Sequence, residues 1–347
     1  MPEAPLSPNT GTAPTVSFER TAARPPPRRC TRVVPSRRAL VTGGAGFIGS
    51  HLVEALLERG HKVRVLDNFS TGKRNNLRSV RNDIEILAGD CADPKTAARA
   101  MKGIEVVYHE AAVPSVALSI EQPFASHQAN ATATMAMLVA AREEGVERFM
   151  YAGSSSVYGD RKERFKHEGL PTRPLSPYGA AKFVGETYVR IFAELYGMQT
   201  LTLRYFNVFG PRQDPSSPYS GVISRFSKAI LKRETPVIYG DGKQSRDFTF
   251  IANVVHANLL ALTAAGLKGQ TLNIATSKAH TLNDLLGSLA ALAGRKVEAR
   301  HEPARAGDIR HSLADTTAAR KLLKYRPQVD FESGLARTFE WYSAAGF

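Results

Sequence analysis

The stretch Ala39-Leu40-Val41-Thr42-Gly43-Gly44-Ala45-Gly46-Phe47-Ile48-Gly49 decides the fold of this chain. Its first four residues read as a short apolar strand, and an amphipathic helix starts near Ile48, runs to about residue 58 and is stopped by Gly60. Between them, three glycines have separate duties. Gly43 permits a tight turn, Gly46 lets backbone approach a pyrophosphate, and Gly49 allows the helix to lie close on the strand. A helix that starts this way offers free N–H groups and a positive dipole end to phosphate oxygens. A second strand, 62–66, ends on Asp67, 18 residues after Gly49. A carboxylate there accepts hydrogen bonds from an adenosine ribose and repels a 2′-phosphate, which selects NAD over NADP. A turn built only for packing would need neither the acid nor its spacing.

Outward from this turn, strand-like runs at 84–87, 106–109, 149–151 and 200–205 alternate with helical stretches. That order implies an α/β fold, a Rossmann-type doubly wound parallel sheet. From about residue 207 the pattern is less regular and richer in Pro and Gly. The chain therefore divides into an NAD-binding domain over 37–206, which also holds the catalytic candidates, and a smaller C-terminal α/β substrate domain over 207–347, with the chain free to interleave. The first 36 residues contain eight of the twenty prolines and show no hydrophobic period. Such a segment buries too little to offset its ordering entropy and reads as a disordered tail. An upstream start codon or an arginine-bearing transit peptide are the other readings, the latter weakened by Glu3, Glu19 and the prolines.

A chain of 347 residues, 43% hydrophobic and 22% charged, has the composition of a globular protein with a substantial core. It has no run of the roughly 18 apolar residues that a membrane-spanning helix needs, and no apolar leader. Cys30 and Cys91 stand far apart in unlike contexts, which argues against a disulfide and for a reducing cytoplasm. The net charge of +14 owes a surplus of five to the first 38 residues, where seven arginines face two glutamates. The rest is spread without a basic run or aromatic interleaving, so nucleic acid is not the expected partner. A positive field also suits a doubly charged pyrophosphate substrate. Neither a metal nor a membrane is expected to take part.

Tyr178 and Lys182 stand at i and i+4 in Ser176-Pro177-Tyr178-Gly179-Ala180-Ala181-Lys182. Ser176 can cap a helix and Pro177 can open it, so both side chains project from one face. A phenol with an ordinary pKa near ~10 is a poor base at neutral pH. A neighbouring ammonium, helped by a positive nicotinamide, stabilises phenolate and lowers that pKa. By itself Tyr-x-x-x-Lys is common. Upstream, however, Gly153-Ser154-Ser155-Ser156-Val157-Tyr158-Gly159 follows the strand 149–151, and a serine hydroxyl there can hold a reacting sugar oxygen against the tyrosine.

The spacing Gly-x-x-Gly-x-x-Gly with this Ser, Tyr and Lys resembles the extended short-chain dehydrogenase/reductases. The resemblance implies a catalytic trio of Ser154, Tyr178 and Lys182. It implies cofactor contacts from Gly43, Gly46, Phe47, Ile48, Gly49, Asp67 and Asn68, and from Asp90 and Cys91 near the adenine. The turn His109-Glu110-Ala111-Ala112 would run beside the cofactor, with Ala111 and Ala112 touching it. Ser115, Ser155 and Ser156 would line the sugar site. The implied reaction is removal of the sugar 4-OH proton by Tyr178 with hydride passing from C4 to NAD, rotation of the 4-keto sugar, and hydride return to its other face.

Within that superfamily, 4,6-dehydratases carry an Asp-Glu pair just after the catalytic hydroxyl, and UDP-glucuronate decarboxylases a Glu two positions after it. Ser155 and Ser156 stand there instead, which disfavours both reactions. Arg204-Tyr205-Phe206-Asn207-Val208-Phe209-Gly210-Pro211-Arg212-Gln213-Asp214-Pro215 resembles the UDP-N-acetylglucosamine/UDP-glucose 4-epimerases. So do Ile238-Tyr239-Gly240-Asp241-Gly242, Ser245-Arg246-Asp247-Phe248 and Arg305-Ala306-Gly307-Asp308. The resemblance implies that Asn207, Val222, Tyr239, Arg246, Arg305 and Asp308 bind the UDP moiety, two arginine forks suiting a diphosphate. It also implies that small Ser312 leaves room for an N-acetyl group at C2. The expected function is 4-epimerisation of UDP-GlcNAc/UDP-GalNAc and UDP-Glc/UDP-Gal by a homodimer, in the service of polysaccharide biosynthesis. The alternatives are a UDP-glucuronate 4-epimerase, a one-way 4-ketoreductase, and a non-catalytic nucleotide-binding regulator, a class that typically lacks the Tyr or Lys.

Overall fold

The computed structural model describes residues 1–2, 35–215, 221–304 and 309–346. The expected tail, 1–36, lies almost wholly outside them, and the fold set out below is that of the unit beginning at Ser36.

Six strands alternate with helices along the first half: β1 (Arg38–Thr42), β2 (Lys62–Asp67), β3 (Ile84–Ala88), β4 (Val106–His109), β5 (Arg148–Ser154) and β6 (Gln199–Tyr205). The helices are α1 (Phe47–Leu57), α2 (Pro94–Met101), α3 (Val116–Glu121), α4 (Pro123–His127), α5 (Ala133–Glu143) and α6 (Pro177–Tyr196). Later come the short strands β7 (Val208–Phe209), β8 (Val237–Tyr239), β9 (Ser245–Arg246) and β10 (Thr249–Phe250), with α7 (Val222–Leu231) and α8 (Ile251–Thr263). The chain then returns to the main sheet as β11 (Gln270–Ile274). It ends through β12 (His280–Thr281), α9 (Leu282–Leu292), β13 (Arg300–Glu302), β14 (His311–Ser312), α10 (Thr317–Leu323) and α11 (Phe331–Ala344).

The main sheet has seven strands in the order β11-β6-β5-β4-β1-β2-β3, every pair parallel. Alternate residues of each strand feed opposite layers, as the pleat requires. Ala39, Val41, Val106, Tyr108 and Met150 join a core with Leu52 and Leu56 of α1 and Val254 of α8. Leu40, Val107, Phe149 and Tyr151 join the other, with Ala97 of α2, Met137 of α5 and Val189 of α6. Strand order reverses between β1 and β4, and in such sheets the crevice beyond the carboxyl ends at that point is where ligands bind. The C-terminal region adds small sheets outside the main one: β10 with β7, β12-β9-β14, and β13 with β8.

Two local readings need refinement. The helical run expected after residue 125 is broken by a π turn, Gln128–Thr132, between α4 and α5. The stripe Phe183, Tyr188, Ile191, Phe192, Leu195 of α6 is divided, with Phe192 buried and Leu195 70% exposed. Among the described residues, no helix is long and apolar enough to cross a membrane.

Candidate active site

Gly43 adopts φ +65°, a conformation that side chains disfavour, and donates its N–H to the Leu66 carbonyl at 2.8 Å. The Gly46 N–H closes the turn onto the Gly43 carbonyl at 2.9 Å. A Cβ on Gly49 would stand 2.2 Å from that same carbonyl oxygen, so α1 can start this close to β1 only with glycine there. Phe47 and Ile48, half-buried, form the first turn of α1, where no side chain caps the amides and no acid competes for them. These unfilled donors on a side-chain-free turn suit the pyrophosphate of NAD.

Asp67 ends β2 as expected and is 6% exposed. Its carboxylate first braces the turn: Oδ2 accepts from the Ala45 N–H at 2.9 Å and Oδ1 from the Phe69 N–H at 2.7 Å. Each oxygen keeps a second lone pair for a ribose hydroxyl. Asn68 is exposed and its Oδ1 accepts from the Ser70 N–H, while exposed Asp90 accepts from the Ala92 N–H. Cys91 beside it is buried, and burial pushes its thiol up to about 12. The Ala111-Ala112 turn lies against Gly43, where an added Cβ would come within 2.8 Å of the Ala111 backbone. Thr42 fixes it there, accepting from the Ala111 N–H at 3.1 Å and bonding His109 Nδ1 at 2.8 Å. Buried His109 is pushed down to about 3, so it serves this scaffold as a neutral ring.

Ser176 caps α6, accepting from the Gly179 N–H at 3.1 Å, and Pro177 occupies the first turn. Gly179 has a reason the sequence did not show. A Cβ there would lie 3.0 Å from the Ser156 carbonyl and 3.1 Å from Pro174, so the glycine lets α6 begin against the serine loop. Tyr178 and Lys182 are thereby buried at the carboxyl end of β5, 8% and 2% exposed. Ser154 ends β5, lies close enough to Tyr178 to act on its phenol, and accepts from the Ser156 N–H at 3.2 Å and Ser156 Oγ at 2.9 Å. With those acceptances made, Ser154 has its own proton to give to the tyrosine oxygen or a bound sugar. Ser155 begins the 3-10 turn that follows, and no acid stands beside it.

The charge balance here departs from expectation. Tyr178 is pushed up by burial, opposed only by the Ser154 hydrogen bond, with no contribution from Lys182. Lys182 Nζ donates to the Ala152 carbonyl at 2.9 Å, lies 4.9 Å from the Tyr151 ring centre, and is pushed down by burial to about 8. Burial outweighs the Ser154 interaction, so the phenol stands above its ordinary value. A positively charged nicotinamide beside it would lower it.

On the substrate side, Arg204 is 2% exposed and paired with Glu186 of α6, its Nε donating at 2.8 Å, over the Tyr158 ring. Arg212 donates to both Glu54 oxygens at 2.7 Å. Asn207 is exposed and held at φ +30°, an uncommon conformation that asparagine tolerates better than most residues. Strand β14 runs parallel to β9 with Ser312 opposite Arg246, which puts those two candidates side by side. Ser312 is 8% exposed, and the Arg246 guanidinium donates to the Ser245 carbonyl at 2.9 Å. Tyr239 ends β8 and Val222 opens α7, both half-buried. Ser115 caps α3, its Oγ accepting from the Leu118 N–H at 3.0 Å. Arg305 and Asp308 lie outside the described residues. Sequence reasoning missed Asp247, which accepts from the Thr276 and Ser277 N–H groups at 2.9 Å and so fixes the strand carrying Arg246. A carboxylate directly after Arg246 in Ser245-Arg246-Asp247-Phe248 was the available signal.

A family model described as the NAD dependent epimerase/dehydratase family matches residues 39–275. The UDP-glucose 4-epimerase of Mycolicibacterium smegmatis is 38% identical over 309 residues, spanning 88% of this chain and 98% of its own. The solved UDP-glucose 4-epimerase from Thermotoga maritima with UDP-glucose has a TM-score of 0.85 at 36% identity, covering 89% of this chain and 99% of that one. The UDP-N-acetylglucosamine 4-epimerase from Methanobrevibacter ruminantium M1, in complex with UDP-N-acetylmuramic acid, has a TM-score of 0.85 at 37% identity, with the same coverage.

Proposed function

The chain belongs to the NAD-dependent epimerase/dehydratase family, and from that premise we propose that it interconverts UDP-hexoses at C4, accepting UDP-GlcNAc/UDP-GalNAc as well as UDP-Glc/UDP-Gal. The observation that carries the reading is the gathering of Ser154, Tyr178 and Lys182 beside the glycine turn, with serines at 155 and 156. Bound NAD supplies the hydride acceptor. Tyr178 takes the proton of the 4-hydroxyl and returns it after the 4-keto sugar has turned, while Ser154 donates to the same oxygen. Without an acid after Ser154, nothing here serves the C5 and C6 proton transfers of dehydration. Arg246 and Asn207 face the diphosphate in this reading, and Ser312 leaves space for an N-acetyl group.

The protein acts as a homodimer in the cytoplasm on the same reading. Exposed Ile120, Phe124 and Leu195 on α3, α4 and α6 support the dimer, and the free, buried Cys91 suits a reducing compartment.

The test is incubation of the purified protein, without added NAD, with UDP-GlcNAc and separately with UDP-glucose, followed by proton NMR. Appearance of the 4-epimers is expected. Absence of both, even with NAD supplied, would sink the reading and make UDP-glucuronate the next substrate to try. Ser312→Tyr is expected to cut turnover of the N-acetylated pair more than that of UDP-glucose, and unchanged N-acetyl turnover would remove Ser312 from the specificity argument.

A further inference from the structure

Asn273 lies on β11, the edge strand of the main sheet, opposite Arg204 of β6, and is fully buried. Its side chain joins three separate pieces of chain. Oδ1 accepts from the Tyr158 hydroxyl at 2.7 Å, while Nδ2 donates to the Lys166 carbonyl at 2.8 Å and to the Asp315 carbonyl at 3.1 Å. An amide suits this place because it accepts on one atom, donates twice from the other, and carries no charge into the interior. Covering the sheet edge would not need it, since the Asn273 backbone N–H already donates to Glu168 Oε1 at 2.6 Å.

The joined pieces flank the sugar in the reading proposed above. Tyr158 ends the 3-10 turn that follows Ser154, with the Arg204 guanidinium over its ring at 4.7 Å from the centre. On the other side, Asp315 follows Ser312 by three positions. The Lys166 N–H donates to the Leu313 carbonyl at 2.8 Å and the Asp315 N–H to the Lys166 carbonyl at 2.9 Å, so residue 166 bridges to Ala314. Lys166 is itself buried, and its Nζ donates to the Arg161 carbonyl at 2.8 Å, which curls its loop inward and presents the backbone at 166. Val157, Tyr158 and Ala314 share one small apolar cluster. Such packing brings the two sides together, but directed hydrogen bonds from one side chain fix their spacing.

We infer that Asn273 is a positioning residue for substrate choice: it spans from the Ser154–Tyr158 turn to the Ser312–Asp315 segment, holds them at one separation, and so sets the room left at sugar C2. The specificity half of this inference rests on the UDP-hexose reading, whereas the span itself does not.

The experiment pairs kinetics with amide hydrogen exchange, read by mass spectrometry, on full-length NAD-loaded protein. Asn273→Asp keeps the acceptor for Tyr158 and loses both donated bonds. In that variant kcat/KM for UDP-GlcNAc relative to UDP-glucose is expected to fall about threefold to tenfold. Exchange in the peptide spanning 311–316 should quicken with it. Tyr158→Phe removes only the bond to Oδ1, so it should lower kcat for both sugars by one common factor, leave their ratio in place, and quicken exchange over 155–159 instead. Asn273→Ser, which removes all three side-chain bonds and adds no charge, serves if Asn273→Asp does not fold, and it should shift the ratio and both peptides. A residue that only stabilises the fold lowers turnover of both sugars equally. An unchanged ratio in the Asn273 variants, or unchanged exchange over 311–316, would therefore overturn the inference. If exchange changes as stated while the wild-type protein turns over no UDP-hexose, the span stands and the epimerase reading is what falls.

Discussion

At Gly43, Gly46 and Gly49 the chain keeps side chains out of its turn, whereas between Arg204 and Asp214 most side chains are buried or half-buried. The first stretch presents bare backbone: a turn at φ +65°, a carbonyl that no Cβ can approach, and helix amides left uncapped. In the second, Arg204 ties β6 to α6 through Glu186, Tyr205 holds Glu110, and Arg212 ties the loop to α1 through Glu54. The Gln213 carbonyl anchors Tyr342 of α11 at 2.7 Å, and Lys73 pairs with Asp214 at 2.6 Å. Only Asn207 is left exposed with a strained backbone. Two motifs of similar diagnostic value thus differ in kind: one leaves its backbone donors open, the other is chiefly a set of internal ties around one outward residue.

That contrast can be broken by substitution. Arg204→Ala strands Glu186 as a buried unpaired charge and is expected to lower unfolding stability by about 3–5 kcal/mol in urea titrations. The folded fraction should still carry its full complement of NAD, and cofactor loss without destabilisation would reverse the assignment. Gly49→Ala forces a Cβ onto the Gly43 carbonyl, with an expected loss of about 1–3 kcal/mol from overpacking. Here the protein should purify depleted of NAD, measured by absorbance after acid release, and full occupancy at wild-type stability would contradict the steric account. Asn207→Gly relieves the positive φ and should leave stability unchanged or raise it by up to about 1 kcal/mol. If Asn207 meets the diphosphate, KM for the UDP-sugar rises in the same variant, and an unchanged KM would make the residue a turn former only. Smallest of all is the response of Cys91, whose buried thiol, pushed up to about 12, should resist alkylation at pH 8 in native protein as read by mass spectrometry.

The parts legible in the sequence are those where neighbours along the chain decide the outcome. The glycine turn, the Ser176 cap, Pro177 and the strands from 39 to 205 depend on contacts within a few residues, and they fall within a residue of expectation, except that β5 runs three residues further, to Ser154. The π turn at Gln128–Thr132 carries no such local signal, and it splits what looked like one helix. Other features depend on residues that meet only after folding. Glu110 and Tyr205 are 95 positions apart, and Tyr205 and Asn258 are 53 apart, so the sequence offered Glu110 only as part of the turn expected beside the cofactor. Gly179 carries no local signal of its role, because the Ser156 carbonyl that requires it belongs to another loop. Arg204, read only as part of its motif, is an internal tie to Glu186, a partner that stands 18 positions upstream on α6. Spacing identifies residue types, but it does not say whether a guanidinium faces outward or inward.

The late arrival of β11 sets a schedule for synthesis. Strand β6 has one neighbour, β5, until Gln270–Ile274 has been made, so a nascent chain halted before that point presents an open parallel edge. The hydroxyl of Tyr158, just after the Ser154–Ser156 run, also waits for Asn273, to which it donates at 2.7 Å. Joining strands nearly seventy positions apart in this way is slow relative to local helix formation, leaving an interval in which the edge invites pairing with another ribosome's product. Shortened gene products ending between 206 and 270 should therefore collect in the insoluble fraction, whereas those ending just beyond Ile274 have the sheet complete.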